Sequence, residues 1–144
     1  MSTTSPAEVL YTAEALSTGA GRNGRVATSS FALDLAVPTA MGGSGEGTNP
    51  EQLFAAGYAA CFHSALQGIA RREKVDVEGS SVGGRVQIGP NGEGGYQLAV
   101  ELEVVIPGLD HDQAQALADA AHQVCPYSNA TRGNIDVAIT VSDD

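Results

Sequence analysis

Thr48 to Ala70 reads TNPEQLFAAGYAACFHSALQGIA, and this stretch decides the fold. Leu53, Phe54, Tyr58, Cys61, Phe62, Leu66 and Ile69 recur at helical spacing, and the run stays apolar on almost every side until Arg71-Arg72-Glu73-Lys74. Thr48 and Glu51 make a T-x-x-E capping box, Asn49 is an alternative cap, and Pro50 suits a first helical turn. Leu53 to Ala70 is about long enough to span a bilayer, but it carries His63, Ser64 and Gln67 and is rich in Ala and Gly. Those residues fit a buried core helix. A helix apolar on all sides needs cover on all sides, and a chain with three Phe and no Trp is short of bulk for that. The reading therefore expects an oligomer.

Outward from this helix the pattern is mostly extended. Val9 to Ser17 alternates roughly, TGAGRNG turns the chain, and Asn23-Gly24 starts a return strand through Val26. Phe31 to Val37 is a third strand ending at Pro38, followed by the flexible loop MGGSGEG, Met41 to Gly47. Beyond the helix, Ser81 to Ile88 and Tyr96 to Ile106 form two strands, the second setting Leu98, Val100, Leu102 and Val104 opposite Glu101 and Glu103. Asp110 caps a second helix, Asp112 to Val124, whose Ala114, Leu117, Ala118, Ala121 and Val124 share a face, and Pro126 stops it. Ile135 to Val141 alternates as a last strand. The order β-β-β-α-β-β-α-β predicts an α+β fold with antiparallel sheets around a central buried helix, as one domain over residues 1–144.

Charge narrows the function. Seven Lys and Arg against 17 Asp and Glu leave a formal charge of -10, which argues against nucleic acid and against anionic membrane surfaces. The opening MSTTSPAEVL has neither the basic nor the apolar region of a secretory leader, so the expected location is cytoplasmic. Gly19 to Gly24, GAGRNG, fits the G-x-G-x-x-G pattern of dinucleotide binding, but it leads into an Asn-Gly turn and a strand where that motif requires a helix. It reads as a glycine-rich hairpin. GGSGEG lacks the Gly-Lys-Ser/Thr ending of a phosphate loop.

Cys61 and Cys125 are too few for a disulfide framework and are either inert core thiols or a chemical pair. Cys125 falls at a helix C-terminus, where exposed carbonyls disfavour a thiolate. Cys61 lies mid-helix and needs a cation brought by another segment to become reactive. A zinc site from Cys61, His63, His122 and Cys125 is poorly supported, because residues two apart on a helix face different ways, and the expected metal content is none.

TNPEQLFAAGYAACF, Thr48 to Phe62, and VCPYSNATRGNI, Val124 to Ile135, resemble the two signature segments of the organic hydroperoxide resistance family of the OsmC/Ohr superfamily. The similarity runs nearly end to end, from YTAEA at Tyr11 to the final strand; Ala20-Gly21-Arg22 departs from the Gly-Gly-Arg usual in the family, and Ser29-Ser30-Phe31 replaces its Asp-Gly hairpin. The resemblance implies an intertwined homodimer, a thiol peroxidase acting on organic hydroperoxides, no bound cofactor, and reduction by a lipoylated protein through its dihydrolipoyl group. Carried over, it makes Cys61 the peroxidatic cysteine and Cys125 the resolving one, with Arg22 and Glu51 beside the reactive thiol. Met41, Phe54, Tyr58, Phe62 and Tyr127 would then line an apolar substrate mouth. A non-enzymatic dimer binding small apolar ligands remains the alternative. Glu51 and Cys61 stand ten residues apart, roughly 15 Å along a straight helix, so either the helix breaks near Gly57 or another subunit brings Glu51 and Arg22 to Cys61.

Overall fold

In the computed structural model, which describes residues 5–142, the apolar stretch forms one unbroken 24-residue helix, α1 (Pro50–Glu73). It does not break at Gly57. Tyr58, Phe62, Leu66 and Ile69 form its buried seam, at most 3% exposed, while Phe54, Cys61 and Ala65 flank the seam and are partly buried. The chain divides into two compact units, one ending at Pro50 and one beginning at Glu51.

The second unit is built on a sheet of three strands in the order β4 (Ser81–Pro90), β5 (Tyr96–Val105), β6 (Val137–Ser142). β4 and β5 pair antiparallel from Ser81 opposite Val105 to Pro90 opposite Tyr96. β6 lies parallel to β5, with Val100 opposite Val137, so the sheet is mixed, beyond the antiparallel arrangement expected. The parallel pairing follows from the connection: two helices, α2 (His111–Val124) and α3 (Pro126–Thr131), carry the chain back to the start of β5.

The core joins three elements. The α1 seam meets Val100, Leu102 and Val104 on one face of β5 and Ala114, Leu117, Ala118 and Ala121 on α2. Each large side chain so buried contributes roughly 1.5–3 kcal/mol. The other face of β5 carries Glu101 and Glu103, which pair with Arg85 on β4 at 3.2 and 3.7 Å. α2 starts where expected, with the Asp110 carboxylate accepting from the Gln113 N–H. No helix among the described residues is long and apolar enough to cross a membrane.

The first unit is a meander of three short strands, β1 (Leu16–Thr18), β2 (Arg25–Ala27) and β3 (Ala32–Asp34). GAGRNG is indeed a hairpin connection between β1 and β2, with a short 3-10 turn over Gly21–Asn23. The strands are shorter than the alternation suggests because Thr28 ends β2, its hydroxyl accepting from the backbone N–H of Ser30 and of Phe31. Val9, Leu10 and Tyr11 lie ahead of β1 and stay exposed. The glycine loop turns back on itself, Gly43 N–H donating to the Pro38 carbonyl and Gly45 N–H to that of Val37.

Gly84 lets α1 lie close on β4: a Cβ there would stand 3.0 Å from the Ala55 carbonyl oxygen, whereas one on Gly83 would meet nothing within 4 Å. Gly84→Val should therefore lower stability by about 1–3 kcal/mol. Gly83→Val should stay within about 0.5 kcal/mol of the parent, both read from urea unfolding.

Candidate active site

The α1 seam sets where Cys61 goes. One residue before the buried Phe62, it sits at the margin of the seam, half-buried, against the junction of α2 and α3. Cys125 is that junction. It caps the C-terminus of α2 and the N-terminus of α3 at once, and it is fully buried. The two thiols face each other with the sulfurs 3.7 Å apart.

α3 is absent from the sequence reading, which takes Pro126 as a stop. Proline also suits the first position of a new helix, where no N–H is needed, and here it holds that position. Tyr127 then supplies the first N–H of α3. Burial pushes the Cys61 thiol above its ordinary range, the Tyr127 backbone N–H works against that, and the neighbouring Cys125 thiol raises it further. None of these influences is a cation. Cys125 lies at the C-terminus of α2 as expected, and the same residue opens α3.

Around the pair lie aromatic rings and a buried polar cluster. Phe54, Tyr58 and Tyr127 pack edge-on or tilted with centroids 5.6–6.1 Å apart. Gly57 makes room for this, since a Cβ there would stand 2.9 Å from the Tyr127 hydroxyl. Tyr58 and Phe62 are fully enclosed, while Phe54 and Tyr127 line a cavity of about 570 Å³ with Tyr96, Leu98, Ala130 and Ile135. Beneath the rings, Ser128 Oγ stands 2.8 Å from Tyr58 Oη and 2.7 Å from His122 Nδ1. The Arg132 guanidinium donates to the His122 carbonyl and to Asn129 Oδ1. His63 bonds Ser80 at 2.9 Å. Among the described residues no three His, Cys, Asp or Glu side chains converge on a metal position.

Glu51 lies in the first turn of α1, half-buried. With the helix continuous, it is roughly 15 Å from Cys61 along the axis. Arg22 lies half-buried in the first unit's 3-10 turn, and Met41 is exposed at the end of that unit's other 3-10 turn.

A model of the OsmC-like protein family matches residues 43–140. An organic hydroperoxide resistance protein of Xanthomonas axonopodis pv. citri (strain 306) is 54% identical over 142 residues, 96% of this chain and 99% of that protein. The chain belongs to the organic hydroperoxide resistance branch of the OsmC-like family. Solved structures of the family fit it closely: an organic hydroperoxide resistance protein from Legionella pneumophila superposes with a TM-score of 0.89 at 50% identity, covering 94% of this chain and 99% of that one. OhrB of Bacillus subtilis gives 0.84 at 41% identity, covering 93% of this chain and 100% of that one.

In this family member, burial first and the Arg132 charge second hold His122 below its ordinary value, with Asp119 acting in the opposite sense. A histidine lowered on folding binds its proton more readily when unfolded. Its contribution is complete above the unfolded value, near 6.5, and is lost as pH falls through the lower folded value. The urea midpoint should drop between about pH 7 and 5, and His122→Asn should flatten that slope.

Proposed function

We propose that the chain is a cysteine-based peroxidase that reduces organic hydroperoxides to alcohols in the response to oxidative stress. The observation that carries this reading is the asymmetric thiol pair: Cys61 half-buried at the edge of its seam, Cys125 fully buried 3.7 Å behind it. On this reading the outer sulfur meets the substrate and the inner one meets only the outer.

The Cys61 thiolate attacks the terminal peroxide oxygen, the O–O bond breaks, and the leaving alkoxide takes a proton to become ROH. Cys61 is now a sulfenic acid. The Cys125 sulfur displaces its hydroxyl as water, forming the Cys61–Cys125 disulfide. That bond is about 2.05 Å long, so the sulfurs approach by roughly 1.7 Å. An external dithiol, for which we propose the dihydrolipoyl group of a lipoylated protein, restores both thiols by exchange and leaves oxidised.

The first step needs a cation, because burial holds the Cys61 proton on. We assign that role to Arg22, whose guanidinium also has donors for the peroxide oxygens, and to Glu51 the role of orienting Arg22 through a carboxylate pair. With α1 unbroken, we place the Arg22–Glu51 pair that serves each Cys61 on the second copy of a homodimer. The leading segment supports such a dimer, with Val9, Leu10, Tyr11 and Leu16 between 68% and 89% exposed. The cavity walled by Phe54 and Tyr127 would take the organic part of the substrate, with the enclosed Tyr58 packed against both rings.

With cumene hydroperoxide and dihydrolipoamide, Cys61→Ser should show no turnover. Cys125→Ser should lose its remaining thiol once, form no intramolecular disulfide, and pass to the sulfinic acid in excess peroxide, as read by intact mass. Wild-type protein that keeps both thiols in the hydroperoxide would replace this reading with an apolar-ligand binder using the same cavity. Dihydrolipoamide should support faster turnover than thioredoxin or glutathione.

Arg22→Ala should move the Cys61 titration upward and slow its alkylation at neutral pH, with Arg22→Lys in between. Ultraviolet thiolate titration of the Cys125→Ser background reads this directly; an unmoved titration would remove Arg22 from the mechanism.

A further inference from the structure

Four side chains at the meeting of α1, α2 and α3 carry polar groups that the chemistry above does not use, yet three of them stand one helical turn from a sulfur-bearing residue. Tyr58 precedes Cys61 by three residues on α1, and His122 precedes Cys125 by three at the end of α2. Ser128 of α3 joins them at 2.8 and 2.7 Å. Thr131 Oγ1 closes the group, 3.0 Å from Tyr58 Oη and 3.3 Å from the Ser128 carbonyl oxygen. Tyr58 and Ser128 are fully buried and Thr131 nearly so.

Counting protons fixes the direction of every bond. The Ser128 carbonyl takes the Arg132 backbone N–H at 2.8 Å and the Thr131 hydroxyl at 3.3 Å; a carbonyl can only accept, so Thr131 spends its proton there and its oxygen accepts from the Tyr58 hydroxyl. Tyr58 has then used its proton and accepts from Ser128. Ser128 in turn accepts from His122, whose Nδ1 must carry a hydrogen. The chain runs His122 Nδ1–H to Ser128 to Tyr58 to Thr131 and ends on Ser128's own carbonyl. Every hydroxyl in it both gives and receives.

We propose that Ser128 is a positioning residue for the Cys61–Cys125 redox pair: its hydroxyl ties α1 to the α2–α3 junction and so sets the separation of the two sulfurs. The proposal rests on the reading of that pair as redox-active. Ring contacts between Phe54, Tyr58 and Tyr127 tolerate sliding, whereas a hydrogen bond fixes length and direction together. Ser128→Ala leaves the His122 N–H without its acceptor and Tyr58 without its donor. An orphaned buried group is costly, and a helix of six residues relieves the cost by shifting. The shift lowers the effective concentration of one thiol at the other.

Two oxidants test this. With one equivalent of cumene hydroperoxide, loss of the second thiol after the first should slow about tenfold in Ser128→Ala, the factor of one lost buried hydrogen bond. In glutathione redox buffer, two protein thiols become a disulfide as one glutathione disulfide becomes two thiols, and the equilibrium constant should fall by about the same factor. Tyr58→Phe, nearly isosteric, should do likewise, and the double variant should be no worse than the worse single one, because both break one chain. His122→Asn, which returns an N–H donor near the Nδ1 position, should stay close to the parent. Ile69→Val, at the far end of the α1 seam, should lower stability without moving the glutathione equilibrium.

Ser128→Ala that folds and keeps the parent's glutathione equilibrium overturns the proposal; should it not fold, Tyr58→Phe with parental values does so. Protein that forms the disulfide in glutathione but ignores cumene hydroperoxide overturns the peroxidase reading and leaves Ser128 to be judged on the glutathione arm. Protein that forms no intramolecular disulfide in either overturns both.

Discussion

The burial of one helical seam governs the molecule. Tyr58, Phe62, Leu66 and Ile69 must leave water, and once they pack on β5 and α2 the rotation of α1 about its axis is settled. Every other residue of the helix then has its place assigned. Cys61 falls beside the seam, deep enough to touch Cys125 and shallow enough to be reached. Continuity of the helix does the rest, separating Glu51 from Cys61 by three turns.

This arrangement divides positioning from activation. The helices that hold the thiol pair also desolvate Cys61, and desolvation keeps that thiol protonated. In a chain with only seven cationic side chains, activation cannot come from a diffuse positive field. The proposed mechanism assigns it instead to one guanidinium, that of Arg22.

How much of this the sequence shows depends on how regular each pattern is. α1, β4, β5 and α2 are legible because each buries a periodic face, and Asp110 marks the start of α2 as its side chain predicts. Val9 to Tyr11 alternate like a strand but lie outside β1, because pairing stops where Thr28 turns the chain. Nothing in the alternation of Val137 to Val141 tells parallel from antiparallel, since a period of two is the same in both directions. Pro126 carries two meanings, and reading it as a stop hides α3 and with it the Tyr127 N–H. The cysteine pair is visible through the signature segments, whereas Ser128 and His122 are ordinary residues whose role exists only once three helices meet.

The parallel seat of β6 has a consequence for when the pair comes into being. β6 can dock only after the chain has crossed back over the sheet, and the crossover is made of the two helices that carry Cys125. Parallel pairing across such a span is slow to form, because its loop must close before any contact rewards it. Cys61 leaves the ribosome well before its partner and spends that interval without it. Docking of the last strand and pairing of the two cysteines are thus coupled events, so the unfolded chain carries two unrelated thiols and only the folded one holds them side by side.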